Sequence, residues 1–158
     1  MAAAAIVLPL LATDGRAQRG AGPFAEMAGT WSGSGNITLS SGASERIRCR
    51  SAYAVVDGGS TLQQDLRCAS DSYRFDLRSD ITHRQDGTLQ GRWIESSRNI
   101  SGNVSGRLSG DQVQARVEGP GFSASLTMNT RGERQSVSIQ SAGTQVTGLS
   151  ITLSRGAR

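Results

Sequence analysis

Two cysteines stand nine residues either side of a Gly-Gly pair, and that spacing restricts the fold more than any other feature. A tight hairpin turn at Gly58-Gly59 pairs residue i with residue 117 − i, which sets Cys49 directly across from Cys68. Glycine supplies the positive φ that such turns need, with no Cβ penalty. Opposed side chains on one face of an antiparallel pair lie at disulfide distance. The chain has no other cysteine, so the two read as one staple across a β-hairpin. An ideal two-residue turn places them in the hydrogen-bonded series, with Cα atoms about 5.5 Å apart, unless a bulge shifts the register by one. The staple closes a loop already held by its own turn, so its expected role is pinning register more than adding stability.

The rest of the chain repeats the same logic. From Gly29 onward apolar and polar residues alternate, the signature of half-buried antiparallel strands. Ile47, Cys49, Tyr53 and Val55 share one parity; Tyr73, Phe75, Leu77 and Ile81 share another. Turn chemistry interrupts the pattern at Ser41-Gly42, Gly58-Gly59, Ser70-Asp71, Asp86-Gly87, Gly110-Asp111, Gly119-Pro120-Gly121, Arg131-Gly132 and Ala142-Gly143, with a weaker break near Arg98-Asn99. These breaks predict about eight to ten short strands in up-and-down order. At 158 residues the chain fits one domain. The expected fold is all-β, a single antiparallel up-and-down barrel over residues 29–155, with a β-sandwich as the alternative. Gly-x-Trp occurs at Gly29-Thr30-Trp31 and again at Gly91-Arg92-Trp93, where each glycine is expected to make room for an indole.

Residues 1–17 read as a signal peptide. Ala2 to Ala12 is an apolar run too short to span a bilayer, and Gly15-Arg16-Ala17 offers small residues at a cleavage site. Residues 18–28 read as an N-terminal extension with a short helical turn at Phe24–Ala28. An exported chain, in the bacterial periplasm, agrees with a disulfide, which persists in oxidising compartments.

Phe24-Ala25-Glu26-Met27-Ala28-Gly29-Thr30-Trp31 resembles the opening of the lipocalin and wider calycin families. The resemblance implies a closed barrel, Trp31 shutting one end beneath an Arg from the last strand, for which Arg155 is placed, and an internal cavity. It implies no particular ligand.

Chemistry is sparse. His83 is the only histidine, and its position before the Gln85-Asp86-Gly87 turn predicts a solvated loop-end side chain. There is no nucleophile elbow, phosphate loop, zinc spacing or dinucleotide fingerprint, and the carboxylates are scattered singly on polar faces. The expectation is a non-enzymatic protein without metal or cofactor. Trp31, Tyr53, Phe75, Trp93 and Phe122 are the aromatics expected inside the barrel, lining or plugging a site for a small apolar or amphipathic molecule.

The rival site is a basic stripe. All 17 basic residues are Arg, a side chain suited to bidentate contacts with anions. Arg46, Arg48 and Arg50 share the face opposite Ile47 and Cys49, and Arg67 falls across from Arg50. Like charges so opposed are mildly destabilising, which makes the cluster a candidate patch for an anionic envelope component or acidic partner. Nucleic acid is not expected, since aromatics to stack on bases are scarce. An outer-membrane barrel is disfavoured for the same shortage, with 4% aromatic residues too few for interfacial girdles.

Overall fold

In the computed structural model residues 22–156 are described. The segment read as a signal peptide lies outside the described residues, as do the first residues of the extension. A short 3-10 turn, Ala25–Met27, leads into ten strands. The first five are Gly29–Leu39 (β1), Ser44–Val56 (β2), Thr61–Ala69 (β3), Arg74–His83 (β4) and Thr88–Glu95 (β5). The second five are Ile100–Ser109 (β6), Gln112–Gly119 (β7), Phe122–Arg131 (β8), Arg134–Ala142 (β9) and Val146–Arg155 (β10). Each pairs antiparallel with its sequence neighbour, and β1 pairs with β10 to close the barrel. The sandwich alternative is excluded by that seam, which runs from Trp31↔Arg155 to Leu39↔Val146. Every turn read from the sequence falls at a junction of two strands, the weak break at Arg98-Asn99 included, with Gly119, Arg131 and Ala142 as last residues of their strands; Asn99 takes the left-handed conformation that Asn tolerates.

The pairing arithmetic of the first hairpin holds from Val56↔Thr61 down to Arg48↔Ala69, and Cys49 and Cys68 are bonded. The turn itself differs from the two-residue expectation. Ladder pairing stops at Val56↔Thr61 and leaves Asp57–Ser60 as the loop, with positive φ at Asp57, Gly58 and Gly59. A loop of four residues keeps the partners but exchanges the hydrogen-bonded and close pairs. Consistent with that exchange, the cysteine Cα atoms are 4.1 Å apart, the close class, and not at the wider spacing expected from an ideal turn.

Odd residues of β1, β2, β4, β5, β7, β9 and β10 and even residues of β3, β6 and β8 face inward, and the buried set follows that parity. The outer wall is polar. Val56 and Ile94 are the exposed large hydrophobics among the described residues, so the wall has no apolar band of the kind a lipid-facing barrel carries. Outward residues of β8, β9, β10 and β1 are mainly Ser, Thr, Asn and Gln: Ser34, Thr152, Ser136 and Asn129 form one row across the four strands. Charges concentrate on β2 to β7. The outer wall thus has a charged side and a hydroxyl-rich side.

The glycines of the Gly-x-Trp pairs do not make room for their own indoles. A Cβ on Gly91 would strike the Asp80 carbonyl and Ile81 on the neighbouring strand. Space for the Trp93 indole comes instead from Gly102 and Gly119, where a Cβ would lie 2.9 Å and 2.7 Å from the ring. Over those glycines the indole spans β6 and donates Nε1–H to the Glu118 carbonyl, 3.1 Å away.

Candidate functional site

Ten strands enclose more space than the eight whose side chains just fill a barrel, so the interior is the first place to look. Its two ends differ. At one end the chain before β1 crosses the opening. Phe24 donates its N–H to the Gly59 carbonyl, and Phe24 and Met27 are buried. Trp31 is fully buried, its Nε1–H donated to the Met27 carbonyl at 2.8 Å. The Arg155 guanidinium lies 4.7 Å from the Trp31 ring centre, donates to the Glu26 carbonyl and faces the Glu133 carboxylate at 3.7 Å. His83 is not the solvated side chain expected: half-buried at the inward end of β4, it meets the Phe24 ring edge-on at 6.2 Å.

Behind this plug lies a layer of neutral polar groups on the inward parity. The Gln64 amide donates to Ser51 Oγ and Tyr53 Oη, both at 3.1 Å, and accepts from the Ser79 hydroxyl. Tyr53 donates to Gln135 Oε1 at 2.8 Å, and the Gln135 amide donates to Thr130 Oγ1. The chain of bonds runs from β4 through β3 and β2, then crosses the lumen to β9 and β8. Burial outweighs the hydrogen bonds from Ser51, Gln135 and Gln64 and pushes the Tyr53 pKa up to about 12, so the phenol stays protonated through neutral pH.

At the opposite end, the mouth, burial is uneven: Ile37 and Ile47 are fully buried. Leu77, Val104, Val117, Leu126, Ile139 and Leu149 point inward at or near mid-barrel yet are only half-buried. Aromatics gather towards this end. Tyr73 and Phe75 stack at 6.3 Å with planes 7° apart, and Phe122 lies 5.6 Å from Trp93. A depression of about 460 Å³ opens beside Phe122 between the β7–β8 and β9–β10 turns. A broader one of about 560 Å³ lies on the outer wall among Thr82, Arg84, Gln90, Arg92, Asn103 and Ser105, where nothing encloses it.

Two rim carboxylates hold the loops of the mouth. Glu45 accepts from Ser70 Oγ and the Ser72 N–H, both at 3.0 Å. Glu95 accepts from the N–H groups of Asp76, Ser97 and Arg98 and from the Ser97 hydroxyl, with the Arg98 guanidinium at 3.2 Å. These two are not the scattered outer-face carboxylates expected from the sequence; both sit on the inward parity. Hydrogen bonding from Ser72 holds the Glu45 pKa below its ordinary 4.5, with Ser70 adding to it against desolvation. Burial alone would raise that of Glu95, but the bonds from Ser97, Asp76 and Arg98 outweigh it and lower the pKa. A depressed carboxylate pKa adds stability above the unfolded value and loses it as pH falls. The Ser72 and Arg98 amides are therefore expected to keep their exchange protection above about pH 4.5 and to lose it below, ahead of the strands. Protection unchanged on acidification would show that the carboxylates do not hold these loops.

The basic stripe is where the sequence placed it, on the outer wall. Arg46, Arg48, Arg50 and Arg67 are exposed, and Arg50 and Arg67 are cross-strand partners. Arg46 donates to Ser34 Oγ, and Arg67 has the Asp76 carboxylate 3.8 Å away. Among the described residues no carboxylate lies within ion-pair distance of Arg46, Arg48 or Arg50. The aromatics Trp31, Tyr53, Phe75, Trp93 and Phe122 all lie on inward parity, divided between ends: Trp31 and Tyr53 at the plug, the other three towards the mouth. Sequence reasoning passed over Ser51, Gln64, Ser79 and Gln135. Their only signal is a polar residue in an inward series, as in Leu62-x-Gln64-x-Leu66.

No family model matches the chain, and no curated protein is significantly similar to it. Among solved structures it resembles Rv2717c from M. tuberculosis at 15% identity with a TM-score of 0.62, over 84% of this chain and 94% of that one. At that identity the likeness is one of fold.

Proposed function

We propose that this is an exported, non-enzymatic binding protein that holds a small apolar or amphipathic molecule inside its barrel, in the manner of the lipocalin and calycin families. The observation that carries this reading is the partial burial of Leu77, Val104, Val117, Leu126, Ile139 and Leu149. A close-packed core would cover these side chains as fully as it covers Ile37 and Ile47; their partial exposure, beside the hydrogen-bonded layer of the plugged end, supports an apolar wall that a ligand would cover. Binding sites combine apolar walls with a few placed polar groups in this way. The disulfide and the apolar N-terminal run support export into an oxidising compartment such as the periplasm. Native mass spectrometry of protein purified from that compartment is expected to show an added small-molecule mass. Leu126→Trp, which fills the lumen, is expected to remove the added mass while leaving the circular dichroism unchanged. An unloaded wild type that also takes up no apolar probe would overturn the reading.

A second reading rests on Arg46, Arg48 and Arg50, exposed on one strand face with Arg67 opposite. It makes the stripe a contact for an anionic envelope component. Changing the first three to Ala separates the two: a lumen ligand is retained, whereas an envelope partner is lost in a pull-down.

A further inference from the structure

The inside of the barrel is electrically unusual for a chain of net charge +4. Between the rim and the plug, every inward-facing residue among those described is uncharged; His83 and the Arg155 guanidinium, which lies against Trp31 and faces Glu133, stand at the plug itself. The polar groups of the floor, Tyr53, Gln64, Ser79 and Gln135, are a phenol, two amides and a hydroxyl. The two charged side chains of the rim that face inward, Glu45 and Glu95, are acidic, and each is occupied in holding a loop. The rim cation nearest the lumen, Arg98, is paired with Glu95 and lies over the Phe75 ring at 5.2 Å. Among the described residues, the Arg side chains with no carboxylate in ion-pair distance are exposed, on the outer wall and its turns.

An anion moving into this space gives up its hydration and meets no counter-charge, which is the costly case of charge burial. A neutral polar group has partners. Gln64 Oε1 accepts one hydrogen bond, from Ser79, and carries a second lone pair; Gln64 is only half-buried. Resting on the lumen reading above, we infer that the occupant is an uncharged amphipathic molecule, an apolar skeleton bearing at most a hydroxyl or carbonyl, and that the lumen rejects the corresponding anion. The floor then receives the polar end and the half-buried wall receives the skeleton.

A matched pair of fluorescent probes tests this on the full mature chain. N-phenylnaphthylamine is neutral; anilinonaphthalene sulfonate adds one anionic group to the same skeleton. The neutral probe is expected to bind at least about tenfold more tightly, although the net positive surface favours the sulfonate. Leu126→Trp is expected to abolish binding of the neutral probe, with Val117→Trp as the second lumen-filling variant if the first does not fold. Residual sulfonate binding that survives a folded lumen-filling variant is binding to the outer surface and supports the assignment. If both probes bind with similar affinity and both are displaced by lumen filling, the lumen reading stands and the neutral-ligand inference falls. If the neutral probe fails to bind at all, the lumen reading falls and takes the inference with it.

Discussion

Trp31→Ala is expected to cost about 3–5 kcal/mol, the range for truncating a buried Trp, which is a large share of the total stability of a domain this size. The indole is fully buried, meets Tyr53 edge-on at 6.5 Å and lies 4.7 Å from the Arg155 guanidinium. Its removal opens a cavity at the plugged end and leaves the Met27 carbonyl without its donor. It also leaves an almost fully buried guanidinium beside that cavity, so the loss exceeds that of an apolar truncation alone. Urea denaturation read by circular dichroism checks the magnitude. Trp31→Phe keeps the apolar contact and loses the hydrogen bond, so its midpoint is expected to fall between the other two. Equal midpoints for the alanine variant and the wild type would show that the plug does not stabilise the barrel.

The second large effect comes from a residue with no side chain. In a strand, Ala ordinarily improves on Gly by roughly 0.5–1 kcal/mol because it restricts the unfolded chain. At Gly35 the sign is expected to reverse. A Cβ there would fall onto the Ser150 carbonyl and 2.7 Å from the Ile151 Cα, both backbone atoms of β10. Neither can swing aside as a flexible side chain would, so β1 and β10 must separate at the seam. Gly35→Ala is expected to cost about 3 kcal/mol or more, among the larger effects of any single substitution. Ser34→Ala, one position away on the outer wall, is expected to fall within about 0.5 kcal/mol of wild type. The comparison of these two denaturation curves isolates the close approach of the strands, and a neutral Gly35→Ala would refute it.

The two substitutions differ in how visible they were in the sequence. Trp31 announces itself by type and by its place at the head of the first alternating run. The strands were legible for the same reason: period-two patterning and turn chemistry are local, and Gly42, Gly58, Gly87, Gly121 and Asn99 mark their boundaries. The Cys49–Cys68 register was legible because a hairpin is also local. What the chain does not display locally is who meets whom around the ring. Tyr53 and Gln135 are partners only because β2 and β9 face one another across the lumen, with β1 and β10 between them on the wall. Gly35 is special only because β10 lies against it. Glu95 reads as a lone carboxylate until three N–H groups converge on it. Alternation fits barrel and sandwich alike, so closure had to await the β1–β10 pairing.

That seam has a consequence for how the protein is made. Nine of the ten pairings join consecutive strands, and each hairpin can form as soon as its second arm emerges. The tenth joins the first strand to the last. Throughout synthesis β1 presents an unpaired edge, and the residues on its outer face, Thr30, Ser32, Ser34, Asn36 and Thr38, carry no charge to deter another chain from adding to it. The finished barrel has no edges, but the nascent one carries an unguarded edge until its final ten residues of strand arrive. The protein's most hazardous moment is therefore the interval before Val146–Arg155 closes the ring, when its need for a holding chaperone is greatest.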